Sequence, residues 1–195
     1  MRIIGGRLSG RRFGAPGGLG TRPTSERVRE ALGSALESRA AFRGAHVLDL
    51  FAGTGALGFE ALSRGASDAV LVDNDPRAIR QIKLSSEELG LGETARAMRL
   101  DLLGDPVDVV QRVPLVKPGF SLVFADPPYS EVGAIPGILS ALLAAKRLAP
   151  GAWLAIEHPA SHPWTWPNGL ASDAEYRYGR TGISLGVFAA EKGRQ

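Results

Sequence analysis

The sequence predicts an α/β protein in which helices flank a mixed sheet of seven strands. Short apolar segments alternate with helical segments along most of the chain, and the last two predicted strands form an antiparallel pair. Four successive strands each end in an acid, and the first strand leads into a glycine-rich turn. These acids are Asp49, Asp73, Asp101 and Asp126. Because ligands of open α/β sheets bind beyond the carboxyl ends of the strands, these features predict a ligand site there.

The predicted elements are bounded by residues typical of helix and strand ends. An apolar stripe at helical spacing follows an N-cap at Thr24 or Ser25 and predicts the first helix. Pro76 and Gly90 bound a later helix, since proline suits the first turn and glycine the end. We predict strands over 47–50, 68–73, 95–100, 120–125, 153–156, 175–179 and 183–190, and further helices through 60–64, over 76–89 and over 133–147.

The N-terminal segment is rich in arginine and glycine. Residues 1–45 contain nine arginines and three acids, whereas the other residues contain 14 basic and 17 acidic side chains. The interspersed glycines predict a β-hairpin or extended arm with a mobile tip, whose removal is expected to spare the fold. Arginines can form bidentate contacts to phosphates, although a solubilising terminus is the alternative. The arginines expected to bind RNA are Arg2, Arg7, Arg11, Arg12 and Arg22.

The glycine-rich segment is compatible with two classes of nucleotide cofactor. Its G-T-G-A-L-G sequence at 53–58 matches the dinucleotide-binding pattern, and Asp73 lies 20 residues after Gly53 as a candidate ribose ligand. However, the carboxylate of Asp49 before the turn would repel a pyrophosphate and attract an ammonium or sulfonium group. Three residues also separate Asp49 from Gly53, whereas a dinucleotide turn has its first glycine directly after the strand. These details favour S-adenosylmethionine over NAD.

The sequence D-P-P-Y at 126–129 follows an apolar strand and has a chemical use at each position. Asp126 supplies a carboxylate acceptor, and Pro127 and Pro128 fix the backbone and remove two N–H donors. Tyr129 offers an aromatic face on which a base can stack, worth roughly 1–3 kcal/mol. Such a group suits an exocyclic amine of a nucleobase, although an ordinary strand-ending turn is the alternative.

Composition excludes several other classes of site. The chain has 195 residues and no cysteine, which excludes disulfides, thiolate metal sites and a cysteine nucleophile. Its three histidines, His46, His158 and His162, lack the spacing of metal ligands. No apolar run approaches the roughly 20 residues of a membrane span, and no signal-peptide pattern opens the chain. A cytoplasmic protein without metal or membrane partner is therefore expected.

Several segments resemble the RsmD family of bacterial 16S rRNA guanine-N2 methyltransferases, which are class I, Rossmann-like enzymes. The resemblance covers nearly the whole chain, and its most selective segment is R-P-T-S-E-R-V-R-E-A-L at 22–32. It also includes the segments at 2–6, 48–58, 60–66, 126–129 and 178–181. Arg180 stands where an acid is common in that family, so no role is predicted for it.

The resemblance implies a Rossmann-like methyltransferase domain over 25–195, preceded by a small basic hairpin or arm for RNA over 1–24. The residues predicted for the cofactor site are Asp49, Phe51, Ala52, Gly53, Thr54, Gly55, Asp73, Asn74, Asp101 and Leu102. Those predicted for catalysis are Asp126, Pro127, Pro128 and Tyr129. The implied reaction moves a methyl group from S-adenosylmethionine to the N2 amine of a guanine in 16S rRNA. A monomer acting on a small-subunit assembly particle is expected.

Two alternatives stay open at this point. A DNA adenine-N6 methyltransferase uses a similar acceptor-Pro-Pro-aromatic turn, although 195 residues leave little room for a separate domain that recognises its target. An NAD-linked oxidoreductase, or a catalytically silent nucleotide-binding module on RNA, would share the glycine-rich turn.

Overall fold

Seven strands form one mixed sheet in the computed structural model, which describes residues 1–14 and 26–189. The strands are β1 (His46–Leu50), β2 (Asp68–Asp73), β3 (Ala95–Arg99), β4 (Phe120–Ala125), β5 (Leu148–Pro159), β6 (Ala171–Tyr178) and β7 (Thr181–Val187). Their order across the sheet is β3-β2-β1-β4-β5-β7-β6. The first five strands are parallel, and β7 is antiparallel to both β5 and β6. The predicted mixed seven-stranded sheet is thus confirmed.

The described residues form five α-helices, of which the first precedes β1 and the others connect strands: α1 (Glu26–Glu37), α2 (Ala56–Ser63), α3 (Pro76–Leu89), α4 (Pro106–Arg112) and α5 (Ile135–Ala144). The predicted helix over 76–89 has the expected bounds, with Asp75 as its N-cap and Gly90 in a left-handed conformation at its end. Helix α4 was not predicted, although Asp105 caps it and Pro106 starts it. The N-cap expected at Thr24 or Ser25, and Ala190 at the end of the last predicted strand, lie outside the described residues.

Alternation along the strands divides the apolar core between the two faces of the sheet. On one face, Val47 and Phe124 pack with α1, α2 and part of α3. On the other face, Leu48 and Val123 pack with α4 and α5. Because successive side chains in a strand point to opposite faces, this assignment also fixes which face each strand-end residue shares. No helix in the described part of the chain is long and apolar enough to span a membrane.

The N-terminal segment, residues 1–14, is folded against the body of the protein. It pairs with itself at a single antiparallel bridge between Arg2 and Arg12, with a short 3-10 turn, Gly6–Leu8, in between. Ile3 is only 1% exposed and Phe13 only 5%, and both belong to the core that includes α1 and α2. The segment therefore pairs with itself as a hairpin does, but it packs against the core of the protein. The expectation that its removal spares the fold does not agree with this packing.

Gly6 allows both a turn of the backbone and close packing in this segment. Gly6 has φ +74°, and a Cβ at this position would lie 2.1 Å from the carbonyl oxygen of Ser63 in α2. The backbone N–H of Leu8 donates to the Ser63 hydroxyl at 2.9 Å, and that hydroxyl donates to the carbonyl of Gly5 at 2.6 Å. Gly6, one of the glycines behind the predicted mobile arm, thus allows the segment to approach α2 closely.

Candidate active site

A cleft of about 870 Å³ lies at the carboxyl ends of the parallel strands. This volume falls within the range of about 300–1,000 Å³ that is typical of small-molecule sites. The loop after β1, the end of β2, the turn after β4, the end of β5, the start of α1 and the β6–β7 turn contribute to its wall. The predicted site residues that line it are Asp49, Phe51, Ala52, Gly53, Thr54, Asp73, Asn74, Asp126, Pro127, Pro128 and Tyr129.

Strand register explains why carboxylates from separate strands meet in this cleft. Asp49 is aligned with Phe124 of β4, and both share the sheet face of Val47. Asp73 and Asp126 lie two residues beyond Leu71 and Phe124, which pack on that same face. The period of two along each strand therefore brings the three acids to one face at one edge.

The glycine-rich loop is fixed by the carboxylate at the end of β2. Asp73 accepts hydrogen bonds from the backbone N–H of Gly53 at 2.8 Å and of Asp75 at 2.9 Å. A carboxylate has about four acceptor sites, so both oxygens can still accept further hydrogen bonds from a ligand. Asp73 thus holds the loop while presenting acceptors to the cleft.

The loop itself has an unusual backbone. Gly55 precedes α2 with φ +78°, and a Cβ there would lie 2.8 Å from the ring of Phe59. Phe51 has φ +59°, a left-handed conformation that a bulky side chain adopts only at an energetic cost. Such outliers concentrate at ligand sites, where the surrounding structure imposes them. Gly55 shapes the loop although it does not itself line the cleft.

Asp49 is a buried carboxyl group at the floor of the cleft. It is 1% exposed, and its Oδ2 accepts a hydrogen bond from the backbone N–H of Gly58 at 2.9 Å. Burial, with a smaller contribution from the nearby charges of Asp126 and Asp73, raises the pKa of Asp49 to about 8 against the opposing effect of the Gly58 hydrogen bond. A cation in the cleft would favour the ionised form of this group.

The turn after β4 presents its aromatic ring at the mouth of the cleft. Tyr129 is 42% exposed, and its hydroxyl forms a 3.0 Å hydrogen bond with Oγ1 of Thr181. The ring is therefore anchored at its far end by the start of β7, while the rest of it is accessible to a ligand. Pro127 and Pro128 line the cleft between Tyr129 and Asp126.

Two residues predicted for the cofactor site lie elsewhere. Strand β3 ends at Arg99, and Asp101 beyond it is exposed, with its Oδ1 accepting from the backbone N–H of Leu103 at 3.0 Å. Leu102 is 3% exposed and packs in the core on the other face of the sheet. Neither is among the residues that line the cleft. Asp101 instead stabilises its own turn, the ordinary role of a strand-end aspartate.

Several residues that line the cleft were not predicted from sequence. They come from the N-terminus, from the start of α1, from the end of β5 and from the β6–β7 turn: Met1, Arg27, Arg29, Glu157, Arg177, Tyr178 and Arg180. The resemblance segments at 22–32 and 178–181 include Arg27, Arg29, Tyr178 and Arg180, but no role in the site was predicted for these residues. Trp164 and Trp166, in the proline-containing loop after β5, pack against the core on the opposite face of the sheet.

A buried ion-pair network explains part of the selective segment at 22–32. Arg29 is 1% exposed, lies 3.8 Å from Glu60 and donates to the carbonyl of Arg2 at 3.1 Å. Glu60 also accepts from the backbone N–H of Gly5 at 2.7 Å and from Nε of Arg64 at 2.9 Å. Helices α1 and α2 thereby hold the N-terminal segment beside the cleft.

The arginines predicted to bind RNA differ in their surroundings. Arg2 pairs with Glu26 at 2.7 Å, and Arg11 donates to the carbonyl of Glu88 at 2.9 Å. The exposed side chains of Arg7 and Arg12 form no hydrogen bond or ion pair with any residue that the structure describes. Arg22 lies outside the described residues. Within the described part of the chain, no cluster of three acids or histidines is arranged to hold a metal ion.

The chain is similar to proteins of one family along almost all of its length. The family model described as Conserved hypothetical protein 95 matches residues 1–187. YlbH of Bacillus subtilis (strain 168) is 32% identical over 186 residues, which cover 95% of this chain and 97% of that protein. Ribosomal RNA small subunit methyltransferase D of Escherichia coli (strain K12) is 34% identical over 162 residues, covering 80% of this chain and 71% of that protein.

Solved structures agree with this relationship. The structure of yhhF from Escherichia coli superimposes with a TM-score of 0.82 at 29% identity, covering 98% of this chain and 99% of that one. An RNA methyltransferase from Salinibacter ruber, solved in complex with S-adenosyl-L-homocysteine, shares the fold, with a TM-score of 0.62 at 15% identity over 89% and 98% of the two chains. The sheet and helices therefore form the Rossmann-like fold of class I methyltransferases. The chain belongs to the family described as Conserved hypothetical protein 95, the RsmD family that its motifs predict.

Proposed function

We propose that this protein transfers a methyl group from S-adenosylmethionine to the exocyclic N2 amine of a guanine in 16S rRNA. Its general activity, that of an S-adenosylmethionine-dependent rRNA methyltransferase, follows from its family. We choose an amine as the methyl acceptor because of one observation. The D-P-P-Y turn lies in the same cleft as Asp49 and the loop held by Asp73. An aromatic face and carboxylate acceptors there suit a planar base with an amino group.

The residues of the cleft fit the cofactor. Asp73 can accept hydrogen bonds from ribose hydroxyls through lone pairs that Gly53 and Asp75 leave available. Phe51, Ala52 and Gly53 line the same cleft, and the absence of a side chain at Gly53 favours close approach of a ligand. Asp49 supplies a carboxyl group that a cationic ligand would ionise. When bound, S-adenosylmethionine supplies a methyl group carried by a positively charged sulfonium.

The residues of the D-P-P-Y turn prepare the amine for attack. The lone pair of the guanine N2 amine is delocalised into the ring, which makes it a poor nucleophile. Asp126 and the carbonyl of Pro127 accept hydrogen bonds from its two N–H groups and so direct the lone pair toward the methyl group. Tyr129 stacks on the base and fixes its angle. Positioning of this kind can supply up to about 7–11 kcal/mol of the barrier.

Carboxylates also match the charge that develops in the reaction. Transfer would form an N–C bond as the methyl–sulfur bond breaks and S-adenosylhomocysteine leaves, so positive charge would move from sulfur to the amine. Asp126 would stabilise that charge at the amine and accept the proton that the amine then loses, which yields the neutral methylated base. The target base must be unpaired or flipped out of a helix to enter the cleft.

The N-terminal segment and the rim of the cleft supply the contacts to RNA. Arg7 and Arg12 are exposed on the docked segment, and Arg27, Arg177 and Arg180 line the cleft. Arginines in such positions bind phosphates without reading sequence, and they orient the substrate over the cleft. A small-subunit assembly particle is the form of the RNA that we propose as substrate.

The test is transfer of labelled methyl groups to 16S rRNA from a strain that lacks this enzyme. The RNA is offered both naked and in small-subunit particles, and duplex DNA containing adenine serves as the competing substrate. We expect labelling of the rRNA, at one position, by the wild-type protein. Labelling of DNA alone would favour the adenine methyltransferase, whereas tight cofactor binding without transfer to any substrate would favour a silent module.

A further inference from the structure

We propose that Glu157 recognises the N1–H of the target guanine while Asp126 accepts from its N2 amine, so that the two carboxylates select guanine over bases with an acceptor at N1. This inference rests on the proposed function and names a specificity residue for it. Neither the family motifs nor the predicted site residues include Glu157.

Strand register places Glu157 beside Asp126. In the pairing of β4 with β5, Phe124 is aligned with Ala155 and Ala125 with Ile156, so the next aligned positions are Asp126 and Glu157. Adjacent strands lie about 4.7–4.9 Å apart, and aligned residues point to the same face. Phe124 and Ala155 both pack on the face that leads to the cleft, and both acids line the cleft. Two acceptors are therefore presented side by side.

The donor pattern of guanine matches this pair of acceptors. Guanine has an N1–H next to its N2 amine, so two neighbouring atoms donate hydrogen bonds along one edge. A base such as 2-aminopurine keeps the 2-amino group but has a bare lone pair at N1. A carboxylate facing that lone pair gains no hydrogen bond and is repelled. A site built to accept from an N–H strongly rejects an analogue that lacks it.

The hydroxyl of Thr181 connects Glu157, the proposed recognition residue, to Tyr129, the proposed stacking residue. Oγ1 of Thr181 lies 3.0 Å from the hydroxyl of Tyr129 and 3.5 Å from Oε1 of Glu157. Since Thr181 has a single hydroxyl proton, it can donate to Glu157 while accepting from Tyr129. The side chain that would contact the base edge and the ring that would stack on the base are thus oriented from the same point on β7.

The experiment compares two 16S rRNAs, ligated from fragments, that carry guanine or 2-aminopurine at the position methylated by the wild-type protein. Each is offered naked and in particles to the wild-type full-length chain, to Glu157→Gln and to Thr181→Val. The measured quantity is the ratio of kcat/KM for guanine to that for 2-aminopurine. In Glu157→Gln, the amide can donate to the N1 of 2-aminopurine, so we expect the ratio to narrow by about 10- to 100-fold.

Thr181→Val is the matched control, because it removes the hydroxyl that contacts both Tyr129 and Glu157 but keeps the carboxylate whose charge and acceptor atoms set the preference for N1–H. We expect it to lower both rates and leave the ratio within about threefold of wild type. A Glu157→Gln variant that loses activity equally on both RNAs would overturn the inference and leave Glu157 a structural residue, with the proposed function intact. Failure of the wild-type protein to methylate the guanine RNA in either form would overturn the proposed function, and this inference with it.

Discussion

Among single residues, Asp49 makes the protein sensitive to pH. Its pKa is raised to about 8 in the folded chain, chiefly by burial, whereas an unfolded aspartate titrates near about 3.9. Between these values the folded state binds one more proton than the unfolded state, so this group lowers the free energy of unfolding as pH rises. We predict that Asp49→Asn is more stable than wild type above about pH 8, by an amount that shrinks toward pH 5. Denaturant titrations across this range measure the difference, and parallel profiles for the two proteins would contradict the assignment.

The same residue distinguishes the two classes of cofactor. A cationic ligand lowers the pKa of Asp49, so binding at neutral pH should release a proton, whereas an anionic pyrophosphate would keep the group protonated. Calorimetry in buffers of different ionisation enthalpy counts the protons exchanged. We expect S-adenosylmethionine to release close to one proton from wild type and none from Asp49→Asn. Equal proton release by both proteins would mean that another group titrates.

Asp126 is expected to act on turnover rather than on cofactor affinity. Its acceptor role belongs to the transition state, so Asp126→Ala should lower kcat by about 10²-fold or more. Binding of S-adenosylhomocysteine should stay within a few-fold of wild type. Asp126→Asn should be milder, since an amide oxygen can still accept one hydrogen bond. Near-normal turnover of Asp126→Ala, measured with labelled cofactor at saturation, would exclude the acceptor mechanism.

Among the elements, the N-terminal segment contributes to the stability of the core. Ile3 is fully buried beside α1 and α2, so Ile3→Ala should lower the free energy of unfolding by about 2–5 kcal/mol. Arg7→Ala, at an exposed position of the same segment, is the matched control and should stay within about 0.5 kcal/mol. Chemical denaturation measures both, and equal stability of the two variants would show that the segment is only loosely attached.

The positions of the central strands were predictable because each of these strands carries a strong local signal. Short apolar segments ending in aspartate locate β1, β2 and β4, and their alternation fixes the face on which Asp49 and Asp126 lie. The docking of residues 1–14 was not predictable, since it depends on Glu60 and Ser63, which are distant in sequence. Glycines that pack closely and glycines that confer mobility have the same sequence signature.

For the molecule as a whole, the uneven distribution of charge should control RNA binding. Replacing Arg7 and Arg12 together by alanine removes two exposed cations without touching the core. Each lost phosphate contact should reduce the slope of log K against log salt by roughly 0.7–0.9. Filter binding of 16S rRNA at several salt concentrations measures this slope, with circular dichroism and cofactor binding as checks on the fold. An unchanged slope would make these arginines a solubilising surface.

The site as a whole combines residues that sequence motifs identify with residues that only the fold brings together. The D-P-P-Y turn and the loop after β1 were predicted, because their residue types have direct chemical uses. Glu157 carries no motif of its own and enters the cleft through strand register, and Thr181, although part of the resemblance segment at 178–181, has no role that its residue type predicts. Asp101 shows the converse, because a strand-end aspartate that fits the pattern lies outside the cleft.

The most direct measurement of the central claim is the identity of the methylated nucleoside. 16S rRNA labelled by the wild-type protein is digested to nucleosides and analysed by mass spectrometry against standards, with RNA treated by Asp126→Ala as the control. We predict N2-methylguanosine as the single labelled product, and its absence from the control. A label on N6-methyladenosine, on a ring nitrogen or on a ribose hydroxyl would contradict the proposed transfer to the guanine N2 amine.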